Sequence, residues 1–289
     1  MAGMNGILLV DKPQDWTSHD VVAKLRGVCG EKRIGHSGTL DPMATGLLAV
    51  FLGRATKAVE FSEAEEKEYL AHLRLGLETD TQDTTGTVLR TCDRVPDRAA
   101  LEAVLPRFRG EIDQIPPMYS AIKVQGRKLY EIARRGGEVS REPRRITIRA
   151  LDLLGEEDGD YLLRVCCSKG TYVRTLCHDI GQALGCGGAM SALRRTRVGG
   201  FRVEDALTMD ALCALSREEI ASALLPTDSL FSRFESVTLS AEIESDCRNG
   251  RAFSLPLPDG RYRFYGGDGA FLMLGELRQR QVLAIKRFF

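Results

Sequence analysis

Strand-like and helix-like segments are interspersed along this chain without the regular strand–helix–strand order of a doubly wound parallel sheet. Residues 6–10 and 47–52 are apolar runs typical of buried strands, and Thr17 or Ser18 begins a helix that ends before Gly30. Residues 146–154 and 161–168 form a predicted antiparallel pair, joined by a Gly/Asp turn. The pattern therefore predicts an α+β fold with a mixed sheet.

The pattern of predicted elements changes near residues 226–232, which indicates a domain boundary there. Before this boundary the sequence predicts further strands at 69–77 and 190–198, helices at 55–61, 97–108, 126–135 and 171–184, and one or two helices within 209–225. After it come three predicted strands at 261–265, 270–277 and 281–288. We therefore predict a larger domain at 1–228 and a small β-rich module at 229–289.

Composition excludes several classes of protein. The 289 residues are 43% hydrophobic and 28% charged, which is typical of a globular chain and not of a disordered or collagenous one. A transmembrane helix needs about 18 consecutive apolar residues, and the sequence has no such run. Because Asp11 and Lys12 interrupt the first apolar stretch so early, a secretory signal is not predicted. We expect a cytoplasmic protein.

The formal net charge is zero, with 40 basic and 40 acidic residues, but the charges are unevenly distributed. Residues 60–83 carry eight acidic and two basic side chains, whereas residues 123–149 carry nine basic and three acidic ones. Residues 187–202 add four arginines and no acid. Arginine-rich segments suit phosphate contact, although a solvated charged face gives the same pattern.

The eight cysteines show no C-x-x-C pair and no histidine at zinc-finger spacing. Reduced, buried thiols in a cytosolic protein are the simplest interpretation. Structural zinc and disulfides stay open as alternatives.

Residues 35–48, GHSGTLDPMATGLL, carry the chemistry. They form a glycine-rich loop that presents one carboxylate, Asp41, just before an apolar strand. Gly38 and Gly46 allow a ligand to approach the backbone closely, and Pro42 favours an extended Asp41. Taken alone, such a carboxylate is a nucleophile, a general base, a metal ligand or a turn former.

This loop resembles the signature of the TruB family of tRNA pseudouridine synthases, and the resemblance covers about the first 230 residues. The other matching blocks occur in the family's order: GILLVDKP at 6–13, KEY at 67–69, TDTQD at 79–83, QIPPMYSAIK at 114–123, SKGTYVRTL at 168–176, LRRT at 193–196 and VG at 198–199. One departure is Asp15, which stands where the family pattern often has Gly.

The resemblance implies the pseudouridine synthase fold, a mixed, largely antiparallel central sheet with flanking helices, followed by a PUA-like RNA-binding module. It implies an isomerase that converts the T-loop uridine at position 55 of tRNA to pseudouridine. The target base would be flipped into a pocket, because a base inside the folded loop is inaccessible. No cofactor and no metal are expected.

The family's catalytic residues match three positions. Asp41 matches the essential aspartate, which assists cleavage of the glycosidic bond either by attack at C1′ or by removing a C2′ proton to give a glycal. Arg174 matches the arginine that pairs with this aspartate and favours its ionised form. Tyr69 matches the tyrosine that stacks on the flipped base, and its hydroxyl could serve as a general base.

Four further matches concern substrate binding. Tyr172 matches a second tyrosine of the pocket, and Leu193 matches an apolar residue near the base. His36 matches a histidine that orders the flipped-out RNA loop. Lys12 matches a lysine beside the active loop, for which a structural role is an equal alternative.

The basic tract falls where the family has an insertion, about residues 123–149, that clamps the T-arm. The expected phosphate contacts are Lys123, Arg127, Lys128, Arg134, Arg135, Arg144 and Arg145. The resemblance further implies a monomer that acts on tRNA without a membrane and without an obligatory protein or guide-RNA partner. Two other hypotheses stay open: an RNA-folding factor that has lost catalysis, and a guide-RNA-dependent relative.

Overall fold

The computed structural model describes residues 3–120, 122–124, 126–133, 135–137 and 139–289. Within these residues the α-helices are α1 (Ser18–Cys29), α2 (Val59–Ala64), α3 (Arg98–Val104), α4 (Leu129–Ala133), α5 (Val173–Ala183), α6 (Met209–Ala214), α7 (Arg217–Ala223) and α8 (Ala241–Arg248). Short 3-10 helices lie at Gly53–Ala58, Leu105–Phe108, Val203–Asp205 and Thr227–Phe231.

The strands of the same residues are β1 (Gly6–Lys12), β2 (Ile34–Ser37), β3 (Thr45–Leu52), β4 (Lys67–Leu75), β5 (Leu77–Thr79), β6 (Val88–Thr91), β7 (Gly110–Gln114), β8 (Lys123–Val124), β9 (Arg127–Lys128), β10 (Arg144–Glu157), β11 (Asp160–Cys167), β12 (Gly188–Val198), β13 (Phe201–Arg202), β14 (Leu207–Thr208), β15 (Glu235–Thr238), β16 (Gly260–Tyr265), β17 (Phe271–Arg278) and β18 (Gln281–Arg287).

One large mixed sheet organises the chain up to about residue 208. Its strand order is β14-β1-β3-β12-β4-β11-β10-β7, with β2 paired to β3 and β13 paired to β12. The pairs β1–β14 and β3–β12 are parallel, and the other pairs are antiparallel. The predicted mixed, largely antiparallel sheet with flanking helices is confirmed.

Helix α1 shows how local sequence fixes an element beside the sheet. Thr17 is the N-cap, and with Asp20 it forms a capping box, while Gly30 ends the helix in the left-handed conformation at φ +61°. Its buried face, which includes Val21 and Leu25, packs with the apolar residues of β1 and β3. The predicted helix limits are confirmed.

Helix α5 covers the centre of the sheet, next to β12 and β4. Its close approach depends on Gly181, where an added Cβ would lie 2.1 Å from the backbone nitrogen of Gly188. Leu176 and Ile180 then pack into the core formed with β4, β10 and β11. This packing fixes the beginning of α5, where Arg174 lies, against the large sheet.

The last part of the chain forms a second sheet in the order β15-β16-β17-β18. An aromatic cluster joins it to the first sheet's domain: the rings of Phe61 and Phe231 lie 5.2 Å apart, and those of Phe271 and Phe288 lie 5.0 Å apart. Because these rings belong to one buried cluster, the small sheet is packed firmly onto the larger one.

Some local predictions differ from the structure. Residues 35–37, predicted within a loop, belong to β2 (Ile34–Ser37), because Ile34 and Ser37 are buried against β3. The predicted helix at 126–135 is partly the hairpin β8–β9, followed by the short helix α4. Strand β15 and helix α8 were not predicted, since their apolar residues are few.

No helix in the described ranges is long and apolar enough to cross a membrane. All eight cysteines are free thiols, and six of them are buried. In the described part of the chain, no cluster of three or more His, Cys, Asp or Glu side chains is arranged to hold a metal ion.

Candidate active site

The loop between β2 and β3 carries Asp41. Gly38 and Gly46, at its two ends, have φ values of +72° and +99°, which favour glycine. The Ala44 N–H donates to the Asp41 carbonyl at 3.1 Å and closes a tight turn around Pro42. The chain therefore turns back sharply at Asp41, between β2 and β3.

The N-terminal segment holds this loop from behind. Lys12 is fully buried, and its Nζ donates to the carbonyls of Pro13, Trp16 and Pro42 at 2.8, 2.6 and 3.2 Å. The Asp15 N–H donates to the Pro42 carbonyl at 2.8 Å. Asp15 has φ +65°, a conformation that Gly and Asp tolerate, which explains how Asp occupies a glycine position. Lys12 thus lies behind the loop.

Arg174, at the start of α5, meets the Asp41 carboxylate. Its Nε lies 2.9 Å from Oδ2 without hydrogen-bond geometry, and its Nη2 donates to Oδ1 at 3.4 Å. Nη2 also donates to the Tyr119 carbonyl at 2.9 Å, and Nη1 donates to the Thr81 carbonyl at 3.1 Å. The guanidinium is buried and fixed, whereas 38% of the Asp41 side chain stays exposed.

A second carboxylate, Asp83, lies on the other side of this guanidinium. Its Oδ2 accepts from Arg174 Nη1 at 3.3 Å. Its Oδ1 accepts from the Thr81 hydroxyl, the Thr85 hydroxyl and the Thr85 N–H at 2.8, 2.6 and 3.0 Å. Gln82 adopts φ +64° between them, so that Thr81 and Asp83 both face Arg174. Arg174 is therefore shared between two carboxylates.

The environment moves the pKa of Asp41 upward. Burial is the main cause and Asp83 adds to it, while Arg174 and Lys12 act in the opposite direction. Arg174 therefore acts in the direction expected from the sequence, but it does not outweigh burial. Ionisation of Asp41 is expected above the ordinary aspartate range.

A cavity of about 1030 Å³ opens in front of Asp41. Tyr69, Tyr172 and Leu193 line it, together with Arg174. Burial raises the pKa values of both tyrosines, so both hydroxyls are protonated at neutral pH. Two aromatic rings, one aliphatic side chain and one carboxylate suit a planar base attached to a sugar.

Gln114, at the end of β7, holds the backbone of Tyr172. Its Oε1 accepts from the Tyr172 N–H at 2.8 Å, and its Nε2 donates to the Tyr172 carbonyl at 3.1 Å. This buried amide satisfies both backbone groups of the residue that precedes α5. It therefore fixes the position from which Tyr172 and Arg174 enter the cavity.

Two of the predicted substrate-binding residues do not line the cavity. His36 lies on β2 behind it, and burial lowers its pKa to about 4, so the ring is neutral. Its Nδ1 is buried without a hydrogen-bond partner in the described structure. The His19 ring contacts it edge to face, with centroids 5.7 Å apart. Lys12 is the second residue that does not line the cavity, because it lies behind the Asp41 loop.

The basic tract lies beside the mouth of the cavity. Arg144 and Arg145 both line it, and Arg145 also pairs with Asp113 at 2.8 Å. Arg127 and Arg135 are exposed. Lys123 and Lys128 belong to the β8–β9 hairpin, and Arg134 lies outside the described residues.

The sequence interpretation did not assign roles to Asp83 and Gln114. Both lie within motif blocks, TDTQD and QIPPMYSAIK, which was a signal that could have found them. Their contacts are made across 91 and 58 residues of chain, respectively. Only the assembled fold shows which atoms they bind.

Models of known families match this chain over residues 26–232. The model of the TruB family pseudouridylate synthase N-terminal domain matches residues 26–173, and that of the tRNA pseudouridylate synthase B C-terminal domain matches residues 174–232. Together with the sheet and the Asp41 cavity, these matches define the class: the chain is a pseudouridine synthase.

Individual relatives agree with this class. The chain is 46% identical over 277 residues to tRNA pseudouridine synthase B of Burkholderia mallei, covering 93% of this chain and 92% of the relative. It is 45% identical over 281 residues to tRNA pseudouridine synthase B of Syntrophomonas wolfei, covering 94% and 93%. The chain belongs to the TruB family.

A solved structure shares the fold across both sheets. A chain of the crystal structure of a Cbf5–Nop10–Gar1 complex matches with a TM-score of 0.74 and 27% identity, covering 99% of this chain and 85% of that one. The small C-terminal sheet is included in this overlap, because nearly the whole chain is covered.

Proposed function

We propose that this enzyme converts the T-loop uridine at position 55 of tRNA to pseudouridine. The observation that carries the proposal is the Asp41–Arg174 pair at the floor of a cavity walled by Tyr69 and Tyr172. A cavity of about 1030 Å³ has room for a flipped nucleotide but not for a folded RNA loop. The target base must therefore leave its stack to reach Asp41.

The reaction exchanges one glycosidic bond for another. The N1–C1′ bond breaks and its electron pair stays on uracil N1. The freed base turns between the aromatic walls, and C5 bonds to C1′. The C5 proton is then lost and N1 is protonated, so the product is an isomer of the substrate. This sequence needs no oxidant, reductant or further substrate.

Asp41 acts in the first step by one of two routes. In one, its carboxylate attacks C1′ and is displaced later by C5. In the other, it removes the C2′ proton, and a glycal accepts the turned base. A kinetic isotope effect with uridine deuterated at C2′ would support the glycal route. Its absence would favour the covalent route.

Tyr69 and Arg174 complete the catalytic set. The Tyr69 ring lines the cavity and supports the base there, and we assign its hydroxyl, which is neutral at rest, to the transfer of the C5 proton. Arg174 fixes the orientation of the Asp41 carboxylate through Nε and Nη2. Tyr172 and Leu193 bound the space in which the base turns.

The proposal assigns RNA binding to surfaces around the cavity. Residues 123–149 clamp the T-arm, and the exposed Arg127, Arg135 and Arg144 contact its phosphates. His36 with its neighbour orders the flipped-out loop, and Lys12 supports the catalytic loop from behind. Residues 229–289 form a PUA-like module that adds RNA contacts, and residues 1–228 form the catalytic domain.

We further propose that the enzyme acts as a monomer in the cytoplasm, where tRNA is made and used, without a guide RNA. Incubation of the purified chain with unmodified tRNA directly tests its activity without a guide RNA. If tritium is placed at C5 of the uridines, each turnover releases it to water, and chemical mapping then locates the product. Pseudouridine elsewhere than in the T-loop, or none without a guide RNA, would refute the proposal.

The variant Asp41→Asn tests the role of the carboxylate. It keeps the size of the side chain but removes the nucleophile and base, so turnover should fall by at least about 10⁴-fold. Affinity for tRNA should stay near the wild-type value, because the phosphate contacts lie elsewhere. Retained turnover in this variant would overturn the assignment of Asp41.

A further inference from the structure

Arg195, on β12, is a buried cation that the catalytic proposal does not use. Its residue surface is only 1% exposed. Among the described residues it forms no ion pair with a carboxylate, and its side chain donates to two backbone carbonyls. Burying a charge without a counter-charge is unfavourable, so this arginine is expected to have a specific structural role.

The two carbonyls that Arg195 binds lie at opposite ends of the Asp41 loop. Nε donates to the Leu47 carbonyl at 2.7 Å, and Nη2 donates to the Gly38 carbonyl at 3.0 Å. Between these residues the chain runs out to Asp41 and back. One planar guanidinium therefore joins the two ends of the loop.

The backbone of Arg195 contacts the same loop. It pairs with Gly46 in the parallel ladder between β12 and β3. An added Cβ on Gly46 would lie 2.3 Å from the Arg195 carbonyl oxygen, and one on Gly38 would lie 3.3 Å from Arg195 Nη1. Both glycines thus make room for this arginine, which also lies opposite Tyr69 in the antiparallel ladder between β12 and β4.

We propose that Arg195 is a positioning residue that closes the two ends of the Asp41 loop and orients Asp41 and Tyr69 towards the same base. The inference rests on the proposed role of Asp41. For Arg195, this role takes the place of the phosphate contact that the arginine-rich segment 187–202 suggests. A side chain this buried is not available to an RNA backbone.

Lysine and glutamine separate the geometry of Arg195 from its charge. Arg195→Lys keeps the charge but loses the planar fork, and Arg195→Gln keeps donors without the charge. Since each removes at least one charge-assisted hydrogen bond from the loop, kcat should fall by about 10- to 100-fold in both. The KM for tRNA should change by less than about threefold, because no phosphate contact is lost.

Arg74→Lys is the matched control. Arg74 lies on β4 and bonds in a bidentate manner to Asp160 at 2.7 and 2.9 Å. It is five residues beyond Tyr69 on the same strand, or about 17 Å along it. This variant also replaces a bidentate arginine, but it should leave kcat unchanged.

Two further readouts distinguish positioning from general stability. Guanidinium ions at millimolar concentration should restore part of the kcat of Arg195→Ala, because Arg195 borders the cavity and the vacated space is open to it. The emission of Trp16, the single tryptophan, should change in the Arg195 variants, since Lys12 links the Trp16 carbonyl to the Pro42 carbonyl of the loop.

Each outcome has a defined meaning. A fall in kcat at constant KM, with guanidinium rescue, supports the proposal. Unchanged kcat in Arg195→Lys and Arg195→Gln overturns it, as does a rise in KM alone or a loss of activity that vanishes on cooling. If Asp41→Asn remains active, the catalytic assignment of Asp41 fails. If Asp41→Asn is inactive but the Arg195 variants have the wild-type kcat, the catalytic assignment stands and only the loop-closing role of Arg195 fails.

Discussion

Asp83 offers the sharpest test of how the site controls its carboxylate. The variant Asp83→Asn keeps the shape of the side chain and removes its charge. Its oxygen can still accept from Thr81 and Thr85, which places the new amide nitrogen opposite Arg174 Nη1. The amide nitrogen and Arg174 Nη1 are both donors, so the hydrogen bond between residue 83 and Arg174 is lost.

The size of the effect follows from the contacts that are lost. Arg174 keeps Asp41 and the carbonyls of Thr81 and Tyr119, so the variant does not leave the guanidinium unpaired. It loses one charge-assisted hydrogen bond, worth about 1.5–3 kcal/mol. If this energy fixes the Asp41–Arg174 geometry in the transition state, kcat falls by about 10- to 150-fold.

The pH dependence of kcat/KM in Asp83→Asn gives a second, independent test. The negative charge of Asp83 raises the pKa of Asp41, and Arg174 lowers it. Without Asp83, one upward influence disappears and Arg174 is freer to pair with Asp41. The pKa of Asp41 should therefore fall, and the acidic limb of the kcat/KM profile should move to lower pH in Asp83→Asn.

The assay is tritium release from tRNA labelled at C5, measured across pH under single-turnover conditions. The control is Asp160→Asn, because Asp160 is an equally buried aspartate that is paired with Arg74 and does not line the cavity. The control should lower the free energy of unfolding but leave the pH profile in place. An acidic limb that moves upward in Asp83→Asn, or equal profiles for both variants, would refute the reasoning.

Three further predictions concern the residues that support the Asp41 loop and the backbone of Tyr172. Gly46→Ala should lower the free energy of unfolding, measured by urea denaturation, by about 2 kcal/mol, because its Cβ would collide with Arg195 and φ is +99°. Gly27→Ala is the control: it lies at an open helix position and should raise the free energy of unfolding by about 0.5–1 kcal/mol. The pKa of Lys12 falls from 10.5 to about 8 on burial, so the unfolded chain binds more protons between these values and stability rises with pH. Relative to Lys12→Met, the wild type should gain about 2 kcal/mol from about pH 7.5 to about pH 9.5, and a flat difference in urea midpoints would contradict this. Gln114→Glu should lower kcat by about tenfold at neutral pH, because the Tyr172 carbonyl loses its donor, and equal kcat at all pH values would count against the clamp.

Local features of the fold follow from the sequence. The limits of α1 could be predicted because Thr17, Asp20 and Gly30 act only on residues next to them. The same is true of the turn between β10 and β11 and of the Asp41 loop, where glycine and proline restrict the backbone directly. The resemblance then supplied the chemistry of Asp41, Tyr69 and Arg174.

The supporting residues could not be predicted in this way. Asp83 meets Arg174 across 91 residues of chain, and Arg195 meets Gly38 across 157. A charged residue in a sequence looks the same whether it faces solvent or lies behind an active loop. Arg194 and Arg195 are neighbours, yet the first pairs with Asp11 near the surface and the second is buried against the loop.

The 40 basic residues that balance the 40 acidic ones therefore include two kinds of cation with different roles. Lys12, Arg174 and Arg195 are buried and donate to loop carbonyls or to Asp41, where salt does not reach them. The exposed arginines of residues 123–149 stand in solvent, where the Debye length at physiological salt is about 8 Å. Added salt should weaken tRNA binding through the exposed set alone and leave kcat at saturating tRNA unchanged. A kcat that fell with salt at saturation would place the buried cations in contact with solvent, against the geometry of the loop.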